Sequence, residues 1–141
     1  MTKKLSVALD LEVDFYDVDS YRIVWHGNYP KYFETARCKL LEYIDFTYED
    51  MEKSSFFFPI VDITVRYVKP LVFRQQFVIT ATLLEWENRL KIGYLITDKH
   101  SGERLTKGTT AQVAVAMPGQ IIQFESPPVL LDKVKVAMEK L

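Results

Sequence analysis

Two aspartates separated by a single residue, Asp17 and Asp19, are followed closely by His26 and then by residues that open an amphipathic helix, Asn28-Tyr29-Pro30. A carboxylate can act as base or nucleophile, and a helix start presents unpaired N–H groups to a developing oxyanion. Those two parts together are what acyl transfer needs. On spacing alone the milder reading is favoured, in which both aspartates are turn residues bonding nearby backbone N–H groups. His26 has an equally plain reading, an imidazole near a helix start that bonds backbone, beside its use as a side-chain base. Cys38, the only cysteine, falls mid-helix without a neighbouring base and reads as a small apolar group. With one cysteine and two histidines, His26 and His100, a cysteine-rich zinc site is excluded, and no metal-ligating cluster appears. The five glycines are isolated, so there is no phosphate-binding loop.

The elements that would position these groups follow from periodicity. Residues 5 to 16 alternate loosely, with Val7, Leu9, Leu11, Val13 and Phe15 on one side, and predict a strand. From Asn28 the period becomes helical: Tyr29, Tyr32, Phe33, Ala36, Leu40, Leu41 and Ile44 form one stripe, and Lys31, Glu34, Arg37 and Lys39 fall on other faces. Asn28 is the expected N-cap, and Pro30 is tolerated in the first turn. Tyr48 to Ser55 reads as a polar connector. Strands are then expected at Pro59–Tyr67, Phe77–Trp86, Leu90–Thr97 and Leu105–Met117, divided by Pro70, Glu87-Asn88-Arg89 and the His100–Glu103 turn. A short helix is expected over Val129–Leu141. One strand, one long helix and a run of antiparallel strands define an α+β fold without βαβ alternation, and its long edge strands invite pairing with a second copy.

The 141 residues suit one domain, 1–141, and 48% apolar residues supply a core. Eighteen basic residues against 19 acidic ones, with no block of either sign, argue against nucleic acid or an anionic membrane as partner. The segment Met1–Val7 lacks the apolar run of a leader, and nothing approaches the roughly 20 apolar residues of a membrane span. A cytoplasmic protein with a small-molecule partner is the expectation.

At Asp17-x-Asp19, Ile23-Val24-Trp25-His26-Gly27-Asn28-Tyr29 and the helix Tyr32-Phe33-Glu34-Thr35-Ala36-Arg37, with Arg66-Tyr67-Val68-Lys69-Pro70 further on, the chain resembles hotdog-fold acyl-CoA thioesterases of the 4-hydroxybenzoyl-CoA thioesterase and YbgC-like type. The resemblance implies a long central helix wrapped by a curved antiparallel sheet, a homodimer often paired into a homotetramer, and sites at subunit boundaries. It implies Asp19 as catalytic carboxylate, nucleophile or general base, and the N–H of His26 as oxyanion donor, with the imidazole as a possible assistant. Asp17 then orders the loop. Substrate-binding candidates are Tyr21, two residues after the catalytic position, Trp25 within the motif, Tyr29 in the first helical turn, and Asp62 on a strand that flanks the pocket from the partner subunit. Many relatives carry a small residue and glycines after the aspartate, where this chain has Ser20-Tyr21-Arg22, which would narrow or recharge the acyl entrance. The substrate would be a thioester of coenzyme A or of acyl carrier protein, with no metal or redox cofactor. Arg66, Lys69, Arg74, Arg89 and Lys91 are available to a nucleotide. A non-catalytic acyl-thioester-binding protein and a dehydratase using His26 are the alternatives.

Overall fold

A computed structural model describes residues 4–141; residues 1–3, part of the segment read above for a leader, lie outside it. Strand β1 (Ser6–Glu12) is followed by helix α1 (Tyr29–Tyr43), a short helix α2 (Tyr48–Lys53), and strands β2 (Phe56–Phe57), β3 (Ile60–Tyr67), β4 (Gln76–Glu85), β5 (Leu90–Asp98), β6 (Arg104–Gln112), β7 (Val115–Ala116) and β8 (Ile121–Ile122), before helix α3 (Pro128–Glu139). Five strands form one antiparallel sheet in the order β1-β4-β5-β6-β3, and β2, β7 and β8 form a small second one. This is the expected hotdog arrangement, α1 lying against the inner face of the larger sheet. No helix among the described residues is long and apolar enough to cross a membrane.

The helical stripe read from the sequence is the buried face of α1: Tyr29, Tyr32, Phe33, Ala36, Leu40 and Leu41 are all buried. They meet Phe77, Ile79 and Ala81 of β4 and Ile92, Tyr94 and Ile96 of β5, each strand supplying alternate residues. Phe33 stacks on Tyr94 with centroids 4.4 Å apart. That approach depends on Gly108 of β6, where a Cβ would come within 2.4 Å of the Phe33 ring and 2.7 Å of the Thr64 carbonyl oxygen. Arg37, placed on a polar face by the sequence, is buried instead. Its guanidinium spans from Glu34 to the Tyr48 hydroxyl at 2.8 Å, so the charge is paired as it leaves water.

Several expected boundaries shift for physical reasons. The connector 48–55 contains α2, because Thr47 and Asp50 form a reciprocal capping box: Thr47 N–H donates to Asp50 Oδ2 at 2.9 Å, and Asp50 N–H to Thr47 Oγ1 at 3.3 Å. The first strand stops at Glu12, and Phe15 lies exposed in a 3-10 turn over Phe15–Asp17. The long strand expected to Met117 ends at Gln112; its last part, β7, turns to pair with Phe56–Phe57 of β2. Asn28 does not cap α1 with its side chain. Its amide donates to the Asp17 carbonyl oxygen at 2.9 Å, tying helix to loop.

Candidate active site

The loop between β1 and α1 is built as a tight reversal. Val18 bridges Val24, Asp19 N–H donates to the Ile23 carbonyl at 2.8 Å, and Arg22 N–H to the Asp19 carbonyl at 2.9 Å. Arg22 occupies the left-handed region at φ 64° to close this turn. Main-chain bonds from Val24 to the Leu71 carbonyl and from Phe73 to the Arg22 carbonyl pin the loop to the segment after β3.

Asp17 is the structural aspartate. It is only 2% exposed and accepts hydrogen bonds from Lys31 and, at 2.9 Å, from the Tyr32 hydroxyl. Burial acts to raise its pKa, while the bonds from Lys31 and Tyr32 and the Lys31 charge lower it and prevail, holding the carboxyl below its ordinary range. The same burial and the facing carboxylate push the Tyr32 phenol up. Asp17 thus joins loop and helix through side chains while its carbonyl oxygen takes Trp25 N–H at 2.9 Å.

Asp19 is half-buried, and one carboxylate oxygen accepts the Tyr21 N–H at 2.8 Å. The turn role that spacing favoured is therefore real, and it also fixes the carboxylate. Asp19 lines a cavity of about 220 Å³ together with Ile23, Val24, His26, Tyr29, Tyr67, Val68, Lys69 and Pro70. On its other side the same residue borders an aromatic groove with Phe15, Tyr16 and Phe73.

A 3-10 turn, His26–Asn28, leads into α1, so the helix begins at this cavity. The Trp25 carbonyl accepts Asn28 N–H at 2.9 Å and so points along the helix. In a trans peptide the following N–H points the opposite way, which aims the His26 N–H out of the helix start; it has no acceptor among the described residues. The His26 carbonyl is held by the Tyr67 hydroxyl at 2.6 Å. Asp19 and His26 thus line one small cavity at the positive end of a helix.

The other candidates fall at different distances from this centre. Tyr29 is buried and lines the cavity; its hydroxyl accepts Leu71 N–H at 3.2 Å and its ring meets Tyr67 edge-on at 4.9 Å. Trp25 is half-exposed outside the cavity, folded beside the His26 ring and over Gly27, where a Cβ would meet the indole at 2.3 Å. The Tyr21 side chain is exposed and does not line the cavity; the residue's contribution is its N–H to Asp19. Asp62 lies exposed on β3, also outside the cavity of its own chain. Of the cations suggested for a nucleotide, Lys69 alone lines it, paired with Glu103 at 2.9 Å. Burial and Glu34 push the Cys38 thiol up, which suits the inert reading given above. The Tyr67 hydroxyl is not marked in the sequence, because nothing local signals a contact to a carbonyl 41 residues away.

Residues 13–134 match the family model described as the thioesterase-like superfamily, and the chain belongs to that family. It is 35% identical over 108 residues to YneP of Bacillus subtilis (strain 168), assigned by name as an acyl-CoA thioesterase, covering 75% of this chain and 77% of that protein. Among solved structures, DHNA-CoA thioesterase of Staphylococcus aureus superimposes with a TM-score of 0.82 at 23% identity, covering 96% and 89% of the two chains. Slr0204 of Synechocystis, a 1,4-dihydroxy-2-naphthoyl-CoA thioesterase, gives 0.82 at 17% identity over 96% and 97%. These two likenesses confirm the hotdog fold.

Proposed function

We propose that the protein hydrolyses an acyl thioester of coenzyme A, or of the same phosphopantetheine arm on acyl carrier protein, to a free carboxylic acid and a thiol. The observation that carries this reading is that Asp19 and His26 line one cavity at the start of α1, the His26 N–H having no acceptor among the described residues. Membership of the thioesterase-like superfamily and the name of the B. subtilis relative support it.

In this reading the thioester carbonyl oxygen accepts the His26 N–H, which the helix dipole favours as negative charge grows. Asp19 either attacks the carbonyl carbon, giving an anhydride that water then opens, or takes a proton from water as its oxygen bonds to that carbon. In both routes the C–S bond breaks and the sulfur leaves as thiolate; the proton that makes it a thiol comes from the water, released when the anhydride opens in the first route and returned by Asp19 in the second. Coenzyme A enters as part of the substrate. Tyr67 is a positioning residue: its hydroxyl holds the peptide that leaves His26, so the N–H keeps its aim. Thiol release should be measured over short, medium, long-chain and aromatic acyl-CoAs and the matching acyl-carrier-protein thioesters. Turnover on one class names the substrate, and absence of turnover on every one would overturn the reading.

The working unit is a homodimer. The edge of β3 is unpaired in one chain, and Ile60, Val61, Ile63 and Tyr67 on it are 41 to 56% exposed. Pairing with a second copy would cover them and continue the sheet. Sedimentation reads the dimer, and the expected pairing of dimers into a tetramer, in one run.

A further inference from the structure

The free edge of β3 carries charges that a single self-pairing satisfies. Val65 faces Gly108 in the β3–β6 ladder, and Gly108 is where Phe33 packs, so Ile63, Val65 and Tyr67 lie on the inner face and Asp62, Thr64 and Arg66 on the outer. Asp62 and Arg66 are exposed, and neither has an ion-pair partner among the described residues. Arg66 stands directly across from Lys107, a like charge, so its cross-strand neighbour within the chain is unfavourable. The open side of the strand is where a counter-charge can be supplied.

An antiparallel pair of identical strands related by a two-fold axis normal to the sheet has a restricted set of registers. Paired residues share a face, and the axis keeps faces unchanged, so one residue must lie opposite its own copy. With Asp62 on the axis, two carboxylates meet; with Arg66 there, two guanidiniums meet. With Ile63 on the axis Asp62 meets the partner's Thr64, and with Val65 there Arg66 meets the partner's Thr64. Neither charge has an opposite charge directly across from it in those cases, only a diagonal one. With Thr64 on the axis, Asp62 faces the partner's Arg66 and Arg66 faces the partner's Asp62, while Ile63 packs against the partner's Val65 on the inner face. The β-bulge between Ile60 and Asp62 lies beyond this regular stretch.

We propose that β3 pairs with β3 of a second copy about Thr64, the register being fixed by two symmetric Asp62–Arg66 ion pairs. The inference rests on the dimer proposed above and adds its register. It also has a consequence for the site: it brings the Pro59–Ile60 end of the partner's strand to Val68 and Lys69, which line the Asp19 cavity. The second copy then supplies one wall of the cavity. Asp62, outside its own cavity, acts by setting this wall.

Charge reversal tests the register. Asp62→Arg and Arg66→Asp each turn two attractive pairs into two repulsive ones, and the dimer dissociation constant should rise roughly 30-fold. The double swap, D62R with R66D, should return it to within about threefold of the original. A second measurement avoids charge: on a Cys38→Ser background, cysteines are placed singly at 63, 64 and 65 and mildly oxidised. Thr64→Cys should cross-link to itself fastest, because only the residue on the axis meets its own copy. Faster cross-linking of Ile63→Cys or Val65→Cys overturns the register. So does a swap no better than the single reversals, or a dimer indifferent to them, although the dimer would stand. A parent protein that sediments as a monomer overturns dimer and register together, and thiol release remains a separate readout of the chemistry.

Discussion

Two aspartates two positions apart do different work because their surroundings differ. Asp17 is sealed by Lys31 and Tyr32, whereas Asp19 keeps one carboxylate oxygen on the Tyr21 N–H and lines the cavity. Asp17→Asn should cost about 1–2 kcal/mol of stability by weakening those bonds, seen as a lowered denaturation midpoint. The pKa of Asp17 is depressed in the folded chain, so its stabilising contribution is complete above the ordinary carboxylate value and is lost as pH falls below about 4. Acid titrations of the parent and the Asn variant should therefore converge at low pH. Tyr67→Phe removes one hydrogen bond from the His26–Gly27 peptide, which follows the donor residue. It should lower kcat about fivefold and leave the pH profile unmoved, a split that separates positioning from proton transfer.

At the scale of elements, the sequence displayed what depends on period and hid what depends on contact. The α1 stripe and the alternation of β4 and β5 were legible because burial repeats every few residues. Helix α2 was obscured by its polar composition, although Thr47 and Asp50 form a capping box at the spacing that marks a helix start. The turn of β7 toward β2 was not legible, since the partner strand is set by tertiary packing. Asp19 and His26 were legible as a pair only through the family motif, and Tyr67 was not, because its bond to His26 crosses the fold. Gly108 shows how the helix–sheet contact constrains one position. Gly108→Ala would drive a methyl into Phe33 and the Thr64 carbonyl and should destabilise by about 1–3 kcal/mol, measured by urea unfolding.

For the whole molecule, the larger sheet ends on one side in an edge whose charges are complementary to themselves, and that edge leads directly into the residues of the cavity. In the proposed dimer, site completion and assembly are one event. Turnover per chain should fall as the protein is diluted through its dimer dissociation constant, and constant specific activity across that range would mean that one chain holds a complete site. The most direct test of the chemistry is Asp19→Asn, with kcat measured by thiol release and affinity measured with a non-hydrolysable acyl-CoA analogue. With Asp19 as catalytic carboxylate, kcat should fall by about 10²–10⁴ with affinity nearly unchanged. A variant that keeps its turnover, or that loses binding and turnover together, would contradict a catalytic role for Asp19.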